Sequence, residues 1–349
     1  MKTEQILITN IAQQEPDIAR AAEKIRAGEL VVFPTETVYG LGADATNEAA
    51  VRSIYVAKGR PSDNPLIIHI ATPEDAERYA LTNKTYYKLA EKFMPGPLTV
   101  ILPRRKSVCA AVTGGLDTVA VRCPSHPVAR ALIERAGVGI AAPSANLSGR
   151  PSPTTAAHAK EDLDGRVSMI LDGGEAEVGL ESTIVALDGD VGTLLRPGAI
   201  TYDALCCVCR EVKVAPAVLR RLAENERPLS PGMKYRHYAP RAPLTLLEGE
   251  KNAVLAYLKT LSVDSSIGIL CYDEEIPHLQ GKAHLFGIGG EQDLQTQAHR
   301  LFAVLREVDD HPEITAVYAH LPPREGLGLA LYNRSIRAAA HTVKKIQEI

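Results

Sequence analysis

"NEAAVRSIYVAKGRPSDNPLIIHI", Asn47–Ile70, reads as a helix, a stop and a strand in succession. Asn47 is a capping residue ahead of the helix, and Val51, Ile54 and Tyr55 fall on one face. Gly59 is the residue type that ends a helix in the left-handed conformation. Asp63-Asn64-Pro65 then turns the chain into the apolar run Leu66–Ile70. A capped helix that feeds a buried strand is the unit of an α/β fold. Two cations punctuate it. Lys58 lies in the last helical turn, where a cation favours the helix dipole by about 0.3–1 kcal/mol. That dipole role alone could account for Lys58. Arg60 is held between Gly59 and Pro61. Such a loop fixes a guanidinium for bidentate contact with phosphate or carboxylate.

The same alternation extends outward on both sides. Residues 16–28 predict a helix with Pro16 in its first turn, an apolar face at Ile18, Ala21, Ala22 and Ile25, and Gly28 at its end. Strands are predicted at 30–34, 66–70, 98–103, 118–124, 139–143, 167–172 and 182–187, and helices at 47–59, 74–81, 84–93, 126–136 and 155–163. These make one α/β domain, taken as 1–214. Residues 215–240 lose the pattern. Their end, LSPGMKYRHYAPRAP at 229–243, is too rich in tyrosine and cations for a plain tether, so the linker 215–240 is expected to pack on a ligand. From 241 the alternation restarts: strands at 244–248, 266–272, 284–288 and 315–321, helices at 251–261, 291–308 and 327–345. A smaller open parallel sheet over 241–349 follows.

At 349 residues the chain is long for one core, which agrees with two domains. Net charge is −3, and it is distributed as −3 over 1–214, +3 over 215–240 and −3 over 241–349. This disfavours a general nucleic-acid-binding surface. No apolar run approaches the roughly 18 residues that span a bilayer, and the chain opens MKTEQILITN, with no basic-then-apolar leader. A cytoplasmic protein with no membrane contact is expected. Among six cysteines, Cys109, Cys123 and Cys271 read as core residues, and CCVC at 206–209 as a packed helix face, because no second pair stands at zinc-ligand spacing.

Two further stretches carry polar groups on strand exits. "PSANLSGRPSPTT", Pro143–Thr155, offers hydroxyls and exposed backbone N–H groups suited to phosphate oxygens. Capping of the following helix, by Thr154, leaves Ser144 and Asn146 unexplained. In "FPTETVYGLGADA", Phe33–Ala45, Thr35, Thr37 and Tyr39 alternate as on one face of an extended segment, and Gly40 and Gly42 permit a close backbone approach. An ordinary strand exit with a turn explains that pattern as well. Arg122 and Arg196 end apolar strands; His69 inside LIIHI reads first as a satisfied core histidine; Ser182 follows a glycine-rich turn. GxSxG, HExxH, GxxxxGK[ST] and GxGxxG are all absent from the sequence. Fixed cations, hydroxyl-rich loops and no evident nucleophile suit phosphate chemistry run by positioning and charge neutralisation.

Taken together, these stretches resemble the threonylcarbamoyl-AMP synthase family with its YrdC-like domain, in the long form that carries a C-terminal extension. The family signature, Lys-x-Arg with Ser-x-Asn, stands here as Lys58-Gly59-Arg60 and Ser144-Ala145-Asn146, within PTETVYGLG, KGRPSDNPL, PGPLT, PSAN, ESTIV and SPGMKYRHYAP. The resemblance covers essentially the whole chain. It implies a twisted mixed open sheet with helices, followed by a smaller Rossmann-like parallel α/β domain. It implies synthesis of L-threonylcarbamoyl-AMP from L-threonine, bicarbonate and ATP, with Mg2+ carried on the phosphates and no metal ligated directly by protein. By this resemblance Lys58, Arg60, Ser144 and Asn146 are catalytic. Thr37, His69, Arg122, Ala142 and Ser182 line the threonine site, and Arg60, Asn64, Thr118, Ser144, Ser152, Arg196 and Tyr235 contact ATP, Tyr235 making the linker 215–240 an active-site lid. The product serves adenosine 37 of tRNA through separate transferase proteins, which are possible transient partners. The alternative is a non-catalytic module that binds double-stranded RNA or tRNA. A hydrogenase-maturation carbamoyltransferase would need zinc-finger cysteines, which the chain lacks.

Overall fold

The structure, a computed structural model, describes residues 2–220 and 238–347. Two compact units divide them: 2–148 with 152–220, and Gly149–Pro151 with 238–347. The first unit is built on β1 (Glu4–Leu7), β2 (Val31–Phe33), β3 (Gly40–Asp44), β4 (Ile67–His69), β5 (Leu98–Pro103), β6 (Thr118–Arg122), β7 (Ile140–Ala142), β8 (Met169–Asp172), β9 (Thr183–Asp188), β10 (Val191–Arg196) and β11 (Glu211–Val214). They form one sheet in the order β1-β8-β2-β3-β7-β4-β6-β5-β9-β10-β11. Its centre is mixed: β7 runs antiparallel to both β3 and β4, while β4 and β6 are parallel. Helix Glu15–Arg26 buries Ile18, Ala21, Ala22 and Ile25, the face its periodicity marks out, against Leu132 and Ile133 of helix Pro127–Ala136 and against Val31, Phe33 and Leu171 of the sheet.

β3 was not expected as a strand, because GLGAD has little strand propensity. Its glycines are a packing requirement. A Cβ at Gly40 would lie 3.0 Å from the Phe33 ring, and one at Gly42 would lie 2.7 Å from Ile140 and 2.9 Å from Phe33. Only hydrogen side chains let β3 lie under that ring. β1 and β11, four residues each, were also missed. Residues 73–78 form a 3-10 helix, not an α-helix, and Thr155 rather than Thr154 caps helix Ala156–Leu163, accepting from His158 N. Of the CCVC group, Cys209 is buried and Cys206 and Cys207 are exposed, which corrects the packed-face reading; Cys109 is half-buried.

The start of the expected linker continues the first unit: Pro216–Val218 forms a 3-10 turn, and Ala215 N donates to Leu194 O of β10. Residues 221–237, with Tyr235, lie outside the described residues.

In the second unit β12 (Leu244–Glu248), β13 (Ile267–Cys271), β14 (His284–Gly287), β15 (Ala316–His320) and β16 (Val343–Lys345) make a wholly parallel sheet, ordered β14-β13-β15-β12-β16. Helices Lys251–Leu261, Leu294–Glu307 and Gly328–Ala338 connect them. The predicted helix 327–345 therefore stops early. Ala340 and His341 take positive φ, 49° and 66°, and turn the chain into β16.

Candidate active site

Helix Glu48–Lys58 aims the two cations. Asn47 caps it, accepting from the N–H groups of Ala49 and Ala50. At the other end Gly59 sits at φ 60°, ψ 38°, and its N–H and that of Arg60 turn back onto the last helical carbonyls. The terminator thus sets the directions in which Lys58 and Arg60 leave the backbone. Lys58 is only 2% exposed. Its ammonium donates to Ser144 O at 2.6 Å, to Asn146 O, and to Asn146 Oδ1 at 3.3 Å. Burying an ammonium is tolerable only with such partners. Ser144 Oγ donates in turn to Asn146 Oδ1, and Ser148 N to Lys58 O. The two halves of the signature, 86 residues apart, are one hydrogen-bonded body.

Arg60 curls over the next turn, its Nη2 donating to Asn64 O at 3.2 Å and Pro65 O at 3.1 Å. Asn64 is fully buried, and neither its Oδ1 nor its Nδ2 finds a hydrogen-bond partner among the described residues. An unpaired buried polar group costs about 1–3 kcal/mol. An amide left in that state beside an arginine is suited to a polar ligand.

His69 and Arg122 are direct neighbours across the parallel pair β4–β6. His69 Nδ1 lies 3.2 Å from Ile67 O and 3.3 Å from Ile140 O, so it carries the proton and donates. Nε2 is therefore the acceptor nitrogen. Burial first, then the adjacent Arg122 cation, pushes the imidazole pKa down to about 3. The ring stands edge-on to Phe33 at 5.7 Å. Since unfolded His69 binds a proton below about pH 6.5 and folded His69 does not, stability is full above that pH and lost as pH falls toward 3. His126, also lowered by burial, acts in the same sense. We expect His69→Asn to flatten the pH dependence of urea midpoints between pH 6.5 and 4.5, by up to about 1.4 kcal/mol per pH unit. Identical slopes for both proteins would show that His69 titrates normally.

Arg122 is 4% exposed in its side chain and faces Glu36, 5% exposed, at 2.8 Å. The contact is close but poorly directed, and neither Glu36 oxygen makes a directed hydrogen bond among the described residues. Arg122 Nη2 also lies 3.5 Å from Thr35 Oγ1, which bonds Thr37 Oγ1 at 2.9 Å. Thr35–Thr37 is the turn between β2 and β3, not an extended face, and Tyr39 points elsewhere, its hydroxyl donating to Gly174 O. Ser182 Oγ meets Thr99 Oγ1 at 2.7 Å and accepts from Arg196 Nη2 at 3.2 Å. Thr99 pairs with Arg122 in the β5–β6 register, so this group joins the His69–Arg122 end of the sheet.

The register sorts the expected residues. Ile67 pairs with both Ala120 and Ala142, which sets Thr118 and the Asn64–Pro65 turn at one end of β4–β6 and His69 with Arg122 at the other. Ser152 and Arg196, expected on the nucleotide, contact Glu181 and Ser182 respectively. Glu36, Thr99, Glu181 and Asp162, the last accepting from Leu147 N, were not singled out from sequence. Glu36 sits inside PTETVYG, a lone carboxylate flanked by the hydroxyls of Thr35 and Thr37.

A family model described as telomere recombination, covering Sua5, YciO and YrdC, matches residues 23–198, and one described as threonylcarbamoyl-AMP synthase, C-terminal domain, matches 200–340. This chain belongs to the threonylcarbamoyl-AMP synthase family. It is 44% identical to the threonylcarbamoyl-AMP synthase of Bacillus subtilis, over 95% of this chain and 96% of that one, and 41% identical to that of Pyrococcus abyssi over 97% and 99%. A crystal structure of P. abyssi Sua5 complexed with L-threonine matches with a TM-score of 0.87 at 40% identity, over 99% of this chain and 100% of that one. These relatives are named for a synthase, which favours the enzyme over a nucleic-acid-binding module. No helix among the described residues is long and apolar enough to cross a membrane.

Proposed function

We propose that this synthase-family chain makes L-threonylcarbamoyl-AMP from L-threonine, bicarbonate and ATP and releases pyrophosphate. The observation that carries the reading is the buried Lys58 ammonium locked onto the Ser144–Asn146 turn. Threonine's neutral amine takes up bicarbonate as a carbamate with loss of water. A carbamate oxygen then bonds to the α-phosphorus as the bond to the β-phosphate oxygen breaks. Both reactants are anions, and two like charges 4 Å apart repel by about 4 kcal/mol at an effective dielectric near 20. Lys58 and Arg60 offset this. We place the nucleotide beside Arg60, Asn64, Thr118 and Ser144, and the threonine beside Thr37, His69, Arg122, Ala142 and Ser182. Ser152 and Arg196 brace the Glu181–Ser182 segment between them, and Tyr235 is assigned to ATP. His69, neutral, offers an acceptor to the amine, and Arg122 takes the carboxylate.

The site carboxylates are all engaged, Glu36 with Arg122, Glu181 with Ser152 and Asp162 with the Leu147 N–H. Mg2+ therefore fits as an ion held by phosphates and water, where it would neutralise phosphate charge. We place the reaction in the cytoplasm, where its product passes to the transferases that modify adenosine 37 of tRNA. The test is pyrophosphate release with ATP, Mg2+ and bicarbonate against each amino acid in turn. Threonine should be preferred, serine next, valine inert. Release that is independent of the amino acid would contradict the reading.

A further inference from the structure

We propose that His284, His311 and Glu313, in the second unit, form a binding site for a first-row transition-metal dication, zinc above all. Their ligating atoms lie within 4.8 Å of one another. His284 Nε2 is 3.2 Å from Glu313 Oε1, and His311 Nδ1 is 3.1 Å from the same oxygen. In a tetrahedral zinc site with bonds near 2.0–2.1 Å, ligand atoms stand about 3.3–3.4 Å apart. Two edges of the cluster thus have the spacing of a tetrahedral face, and the His284–His311 edge, within 4.8 Å, closes by up to about 1.5 Å through rotation of the partly exposed imidazoles when the ion enters. Two imidazoles and one carboxylate select zinc, cobalt, nickel or copper over magnesium and calcium, which prefer all-oxygen sites. All three side chains keep some exposure, 26%, 39% and 50%, so the ion has an entry path and water can complete the fourth position.

The fold explains the convergence. His284 opens the edge strand β14, and His311 and Glu313 lie on the turn that enters β15. Both strands flank β13, where Gly268 pairs with His284 on one side and Val317 on the other. A Cβ at Gly268 would sit 3.3 Å from both Ile314 and Phe286. A glycine there lets the turn settle over the sheet, and the Phe286 ring then meets the His311 ring at 5.7 Å, edge-on. The ion would tie the edge strand to that turn and raise the stability of the unit by binding only its folded form.

The test is calorimetric titration of the full-length, chelator-stripped protein with ZnCl2, repeated in a Cys206→Ser/Cys207→Ser background because those thiols are exposed. One zinc per chain should bind in both proteins, with the thermal midpoint rising and a large excess of MgCl2 failing to compete. His284→Ala, His311→Ala and Glu313→Gln should each weaken binding by at least about tenfold and abolish the thermal shift. Circular dichroism checks that each variant is folded. No stoichiometric binding, binding unchanged in all three variants, binding lost with the two thiols, or displacement by magnesium would each overturn the assignment.

Discussion

Lys58→Met releases pyrophosphate at least about 100-fold more slowly than the unaltered protein under saturating ATP and threonine, the loss typical of a group that stabilises transition-state charge. Methionine keeps most of the apolar stem and removes only the ammonium. Two effects then combine. The positive charge that the reacting anions would meet is gone. The carbonyls of Ser144 and Asn146 also lose their buried donor, so the Ser-x-Asn turn is no longer held against the helix end. Each orphaned acceptor costs about 1–3 kcal/mol, and a fall in urea midpoint should accompany the loss. Assays at temperatures where the variant stays folded separate the two effects. The turnover defect should persist there and lie mainly in kcat, because the charge matters most as the phosphorus is attacked. A variant with near-normal kcat would reduce Lys58 to a structural staple.

Arg122→Ala should raise the threonine KM by about 100-fold and destabilise the protein by about 3–5 kcal/mol, because it strands the Glu36 carboxylate in a buried site. Adding Glu36→Gln removes the stranded charge. Most of the stability should return in Arg122→Ala/Glu36→Gln, measured by thermal unfolding, while threonine use stays poor. Glu36→Gln alone leaves Arg122 with an uncompensated charge and should retain threonine saturation. If the double variant regained both stability and normal threonine KM, Arg122 would be a partner of Glu36 only, and the substrate carboxylate would be held elsewhere.

Much of this site was legible in sequence where local rules are strong. Asn47, the apolar face of Val51, Ile54 and Tyr55, and Gly59 define one helix and its stop, and they place Lys58 and Arg60 correctly. The parallel second sheet follows from its strand–helix alternation in the same way. What escaped had non-local causes. GLGAD reads as a turn because its glycines answer to the Phe33 ring and Ile140, which are distant in sequence. β16 escaped because the alanines before it favour helix, and the break rests on two left-handed residues, Ala340 and His341, neither a glycine. Glu36 escaped because a lone acidic residue among hydroxyls says nothing until β6 brings Arg122 beside it. The split between the Asn64–Thr118 end and the His69–Arg122 end is a matter of register across β4, β6 and β7, and register cannot be read from any one strand.

The most direct measurement is a crystal structure of the protein with L-threonine and a non-hydrolysable ATP analogue bound. Fixed cations bridging two anions predict that Lys58 Nζ and the Arg60 guanidinium lie within about 4 Å of phosphate or carboxylate oxygens, with the threonine carboxylate on Arg122. A triphosphate seated away from Lys58 and Arg60, with Lys58 still turned onto Ser144 and Asn146 and Arg60 onto Asn64 and Pro65, would contradict it.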